Sequence, residues 1–140
     1  MGIEENKAIV RRFAEEVLQK HDLSVIDKII SEDYVFHGPG GQEIKGPEGF
    51  RQLATISLAG FPDGSYIIDD MVAEGDTVAV RYTRTGTHTG EYHGIPPTGK
   101  QISVPVALFY RLAGSKIIEA LGYSDSLVLF QQLGVSPPVG

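Results

Sequence analysis

Thr85-Gly86-Thr87-His88-Thr89-Gly90-Glu91-Tyr92-His93-Gly94-Ile95-Pro96-Pro97-Thr98-Gly99-Lys100 is the stretch on which the fold turns. It carries two of the four histidines, four glycines and a Pro-Pro pair, and alternating apolar runs flank it on both sides. Glycine tolerates backbone conformations closed to other residues, so this density predicts a strand that bends or bulges sharply. A bent sheet can wrap round a cavity, and a cavity is where small molecules bind.

Downstream of Phe61-Pro62-Asp63-Gly64 the apolar residues alternate, which predicts strands near 65–74, 77–88, 101–112 and 116–125. Gly75-Asp76 and Ala113-Gly114-Ser115 supply turns between neighbours, so the sheet is expected to be largely antiparallel. Upstream the period is helical. Ile9, Phe13 and Val17 form an apolar stripe in a helix over 3–19, and Asp22 or Ser24 can cap a second helix carrying Leu23, Ile26, Ile29 and Ile30. Tyr34-Val35-Phe36-His37 is a short extended piece, and Gly46-Pro47-Glu48 opens a third helix. Residues 126–133 form a closing helix stopped at Gly134, and 135–140 a loose tail. Helices first and strands afterwards make an α+β chain: three N-terminal helices packed on a curved, mostly antiparallel sheet, in one domain spanning 1–140. In Ile102–Tyr110 both faces are mostly apolar. One face is expected against helices or a pocket and the other against a second subunit, which predicts a homodimer.

With 41% hydrophobic and 21% charged residues the chain reads as an ordinary globular protein. A net charge of −6 without a Lys/Arg run argues against nucleic acid as a partner. No cysteine is present, so disulfides, thiolate metal sites and cysteine nucleophiles are excluded, and a cytoplasmic location is compatible. The polar, acidic start is not that of a signal peptide, and no apolar run approaches membrane-spanning length. Gly94-x-x-x-x-Gly99-Lys100 imitates a phosphate loop, but Gln101 stands where Ser or Thr is required, and Pro96 and Pro97 lack backbone donors. The histidines lack metal-ligand spacing and no Gly-x-Ser-x-Gly elbow occurs.

The runs Gly86-Thr87-His88-Thr89-Gly90 and Gly94-Ile95-Pro96-Pro97-Thr98-Gly99-Lys100, then Lys116-Ile117-Ile118-Glu119, Asp125, Leu129 and Gln131-Gln132-Leu133-Gly134, closely resemble the SnoaL-like polyketide cyclase group. The element order likewise resembles the cone-shaped, barrel-like nuclear transport factor 2-like fold to which that group belongs. The resemblance implies ring closure by intramolecular aldol reaction without metal or organic cofactor, as in a lyase or isomerase, on a small hydrophobic carbonyl compound. An acidic side chain would move protons, and the family pattern has an aspartate at the position of Asp125. The departures are Ala120, Leu121, Gly122 and Leu108, where relatives often carry polar residues or tryptophan; they make the expected cavity more apolar.

Read as a regular strand, residues 116–125 place Ile117, Glu119, Leu121, Tyr123 and Asp125 on one face. Asp125 would then end an apolar row, where desolvation suits a carboxyl to exchange protons near neutrality. Its alternative role is the N-cap of the helix that follows. His88 could pair with Asp125 or donate to a carbonyl oxygen, or it could hold backbone at the bend. Tyr82 and Tyr123 offer phenolic donors, or are core tyrosines. Tyr34 and His37 fall on opposite faces of a strict strand, so at most one of them points inward unless the strand is irregular; both, with Leu121 and Leu108, are counted among the expected substrate contacts. His93, at a loop tip, is expected to be exposed. Arg81 and Arg84 also occupy opposite faces, and an inward arginine would attract an anionic substrate. The rival readings are a non-catalytic binder of small apolar ligands, and an isomerase, hydratase or epoxide hydrolase on the same fold.

Overall fold

The structure is a computed structural model that describes residues 2–136. Met1 and residues 137–140 lie outside the described part, and with them most of the expected tail; Val135 is packed against the core.

The first expected helix divides. Helix α1 spans Ile3–Phe13 and continues as a π-helical segment over Ala14–Gln19. Its apolar stripe is realised: Val10, Phe13, Ala14 and Val17 are buried. Asp22 caps a short 3-10 turn, Leu23–Val25, by accepting the Ser24 N–H, and α2 (Ile26–Ile29) follows. Strand β1 (Ile30–His37) is longer than the sequence suggested. After it come β2 (Glu43–Lys45) and α3 (Gly46–Gly60), which starts with Pro47 in its first turn. Strands β3 (Ser65–Glu74), β4 (Thr77–Thr87), β5 (Gln101–Ala113) and β6 (Lys116–Ser124) lead into α4 (Ser126–Leu133).

The six strands form one sheet in the order β2-β1-β6-β5-β4-β3. Every neighbouring pair is antiparallel except β1 and β6, which run parallel. The sheet is open, with β2 and β3 as its edges, so the barrel-like closure expected from the resemblance does not occur. Alternation on β4 is strict: Val78, Val80, Tyr82 and Arg84 turn inward and Arg81 outward. On β5, Ile102, Val104, Val106, Tyr110 and Leu112 turn inward. This face and the N-terminal helices enclose the main core, in which a fully buried Leu, Ile or Phe contributes roughly 1.5–3 kcal/mol. A second cluster of Phe61, Ile102, Val104, Leu129 and Leu133 sits under α4.

Two expectations are corrected here. The first concerns Thr85–Lys100, which does not bend a strand: β4 and β5 stay in regular register to Thr87 and Gln101. The residues between them are the connection, and it folds back onto the end of α3. The Thr89 and Gly90 N–H groups donate to the Gly60 carbonyl at 3.1 and 3.2 Å, serving the exposed end of that helix. Asp63 anchors the other side, accepting from the Thr87 N–H and hydroxyl, and these bonds hold its carboxyl below the usual range.

The second concerns the phase of β6. Ile118 is an extra residue opposite Arg111–Leu112, so Ile117 faces the core whereas Glu119, Leu121 and Tyr123 face out. Gly122 makes no bulge; it lets Phe36 approach, and a Cβ there would lie 2.8 Å from that ring. The outer sheet face carries Val72, Phe109 and Tyr123, all substantially exposed, with the Phe109 and Tyr123 rings packed edge to face. Among the described residues no helix is long and apolar enough to cross a membrane.

Candidate active site

Between the inner face of the sheet, the N-terminal helices, α4 and the folded-back loop lies a cavity of about 320 Å³. Its wall is mainly apolar: Phe13, Leu18, Phe36, Phe50, Leu53, Val106 and Leu108 contribute. Polar groups reach it from Tyr34, Ser57, Tyr66, Arg84, Tyr92 and Tyr110, with His93, Ser124 and Ser126 also in the lining. No aspartate or glutamate lines it. Among the described residues no three His, Asp or Glu side chains gather as a metal-holding set.

Of the expected substrate contacts, Tyr34 and Leu108 line the cavity. Tyr123 also does, though it is 58% exposed and its ring belongs to the outer-face pair. Leu121 faces outward because of the β6 phase. His37 is outside as well: its Nε2 lies 3.2 Å from Glu119, which also pairs with Arg111 at 3.3 Å. Tyr34 and His37 thus divide between the two faces, as their odd spacing requires.

Asp125 takes the capping alternative. Its Oδ1 accepts the Val128 N–H at 3.1 Å, and the residue is exposed, flanked by the lining residues Ser124 and Ser126 without lining the cavity itself. The desolvated row that was to end on it lies on the other face of β6. His88 is fully buried but outside the cavity wall. Its Nδ1 accepts the Thr98 N–H at 3.2 Å and lies 3.0 Å from the Thr98 hydroxyl, while its ring lies against Phe61. A ring nitrogen that accepts from a backbone N–H carries no proton, so the proton of the neutral ring is on Nε2, which has no hydrogen-bond partner. His88 therefore pins the two ends of the loop together, helped by the bonds of its backbone to Gly99 and Lys100.

Tyr82 is a core residue whose hydroxyl lies 2.9 Å from that of Tyr110, and Tyr110 does form part of the wall. Burial pushes both phenols above their ordinary range, so both remain protonated, and either hydroxyl can be the donor in the bond between them. Tyr110 was legible in principle, because it shares a strand face with Leu108. Tyr66 likewise follows from alternation along β3.

Two further groups reach the wall. Arg84 is the inward arginine. It is 91% buried by the 9% exposure of its surface, and its guanidinium lies over the rings of Phe61, Tyr92 and Tyr66 at 5.1, 5.5 and 5.9 Å. Desolvation works against its charge, whereas Tyr66, Tyr92 and a hydrogen bond to the Tyr92 side chain favour it, and the net direction is upward. His93 is at a loop tip and exposed, as expected, yet it also lines the cavity. The Tyr92–Ile95 turn brings it there with positive φ at both His93 (49°) and Gly94 (79°), closed by reciprocal backbone bonds. The Tyr92 ring lies edge-on against the imidazole at 4.5 Å.

Known proteins are similar to this chain in sequence and in fold. Over 99 residues, 70% of this chain and 66% of the other, the sequence is 28% identical to the aklanonic acid methyl ester cyclase DnrD of Streptomyces peucetius. The chain thus spans just under two thirds of that relative. AclR of Streptomyces galilaeus, named as a hydroxylase, superposes with a TM-score of 0.86 at 30% identity, covering 99% of this chain and 91% of its own. A SnoaL-like protein of Jannaschia sp. CCS1 superposes at 0.88 with 24% identity over 96% and 95% of the two chains, a likeness of fold. The family profile described as SnoaL-like polyketide cyclase matches residues 8–133, nearly the whole described chain. With helices, open curved sheet and enclosed cavity all in place, the chain belongs to the SnoaL-like polyketide cyclase family.

Proposed function

We propose that the cavity is the active site of a cofactor-free enzyme that closes rings in a hydrophobic carbonyl substrate by intramolecular aldol chemistry. The observation that carries this reading is the Tyr110 hydroxyl, paired with that of Tyr82, at the wall of a mainly apolar cavity. Either hydroxyl of the pair can donate to the other; in the proposed reacting arrangement Tyr82 donates, which frees the Tyr110 proton for a substrate oxygen. A pre-oriented donor in a water-poor site stabilises the charge that develops on an enolate. The base is His93 at the cavity's mouth. It removes a proton next to one carbonyl, the resulting carbanion attacks the second carbonyl carbon, and the alkoxide so formed takes the proton back. The cavity's shape holds the two carbons close.

A suitable minimal substrate is 1-(2-acetylphenyl)propan-2-one, whose aldol closure and loss of water give fluorescent 3-methyl-1-naphthol. The expected result is turnover well above the buffer rate, with a loss of about 100-fold or more in Tyr110→Phe. Binding of the diketone should be nearly unchanged in that variant. No acceleration by the wild-type chain would favour the second reading, a non-catalytic binder of small hydrophobic ligands. The absence of any carboxylate from the cavity wall is what favours that alternative.

The homodimer remains part of the proposal. Val72, Phe109 and Tyr123 make the outer sheet face the surface that a second copy would cover. Sedimentation velocity should give a dimer that Phe109→Glu dissociates; a monomer at every concentration would remove this element.

A further inference from the structure

We infer that the natural ligand of this cavity is a hydrophobic carboxylic acid, bound as its carboxylate to Arg84. The inference rests on the cavity being the ligand site and not on its being catalytic. The chain contains 18 acidic residues and none of them meets Arg84 or lines the cavity. The ion pairs among the described residues are formed by other side chains. What Arg84 does have is neutral: its Nη2 donates to Ser57 Oγ at 3.1 Å, it hydrogen-bonds the Tyr92 side chain, and three aromatic rings surround its planar head.

A guanidinium taken out of water is costly unless an anion meets it. Aromatic faces and the Ser57 and Tyr92 hydroxyls hold the group and fix its plane, but they are neutral and bring it no counter-charge. Five N–H donors in a rigid fork suit a carboxylate bidentately, and the bond to Ser57 engages one nitrogen. The missing partner must therefore enter with the ligand. The remaining wall is mainly apolar and the volume of about 320 Å³ suits a one- or two-ring body. An ester or ketone of the same shape would offer the fork a weaker acceptor and leave the buried charge uncompensated. The geometry thus selects the acid over its ester.

The test uses the purified full chain near neutral pH, with 2-naphthoate and methyl 2-naphthoate as probes in calorimetric titrations. The acid should bind at least about tenfold more tightly than the ester, the ratio expected when a charge-assisted pair replaces a neutral contact. Arg84→Gln should bring the two ligands to within about threefold of each other, chiefly by weakening the acid, and Arg84→Lys should keep part of the preference. Equal binding by the wild-type chain, tighter binding of the ester, or no binding of either would overturn the inference. So would an acid preference that survives in Arg84→Gln. The wild-type ratio decides even if both variants fail to fold. A clear acid preference without turnover of the diketone would retain the acid ligand and remove the cyclase, whereas turnover without acid preference would do the reverse.

Discussion

His93→Gln should lower turnover of the diketone by roughly 100- to 10,000-fold, the range lost when a positioned acid–base group is removed, while Asp125→Asn stays within a few-fold of wild type. The contrast between these variants separates two places for the proton. Glutamine keeps the size and hydrogen bonding of the imidazole but cannot take up a proton, so the turn and the edge contact with Tyr92 survive. Asparagine is as good an N-cap as aspartate, so Asp125→Asn leaves α4 in place and tests the carboxylate alone. The structural case for His93 is that its ring belongs to the cavity wall and that it occupies a left-handed backbone conformation uncommon for a residue with a side chain. Such conformations gather at sites where a side chain must be held in an unusual place. The opposite outcome, with Asp125→Asn inactive and His93→Gln active, would return the proton to Asp125. The α4 cap would then have to release the carboxylate during the reaction.

The choice between Asp125 and His93 turns on how far each residue's position depends on neighbours distant in sequence. The elements themselves were legible because period is local: β3 and α4 begin and end at the residues predicted, and β4 and β5 within one. The inward placing of Arg84 against Arg81, and of Tyr34 against His37, follows from odd spacing within one strand. β6 fails by a single residue. Ile118 is not distinguishable from its neighbours by composition, yet its bulge turns Leu121 and Tyr123 to the outer face and leaves Asp125 beyond the end of the strand. The parallel pairing of β1 with β6 joins residues more than 80 positions apart, and no turn announces it. His93 was set aside because a loop tip is ordinarily solvent; what returns it to the cavity is the docking of its loop on α3, a tertiary event. The expected departures from the family also change meaning. Leu108 and Gly122 do make the cavity apolar, whereas Leu121 has no bearing on it.

The docking itself yields the second large effect, in Gly90→Ala. A Cβ at Gly90 would stand 1.8 Å from the Ala59 carbonyl oxygen, a backbone atom that cannot rotate away. Either α3 shifts or the loop lifts, and lifting is easier because the loop is held there mainly by two hydrogen bonds to Gly60 and by Tyr92 against Phe61. Overpacking of this kind costs about 1–3 kcal/mol, and a rigid contact belongs at the upper end, measurable by urea unfolding followed by circular dichroism. Gly94→Ala is the control. It strains a backbone at φ 79° but its Cβ meets open space, so roughly 1–2 kcal/mol is expected without undocking. The decisive readout is functional. Because the same loop carries Tyr92 and His93 into the cavity wall, Gly90→Ala should cut turnover by about 100-fold, as misplacement of a reacting group by an ångström does. It should also weaken 2-naphthoate binding, since Tyr92 is one of the rings that hold Arg84. A Gly90→Ala protein with wild-type turnover would mean that the loop is only a connection, and that the groups doing chemistry lie elsewhere on the cavity wall.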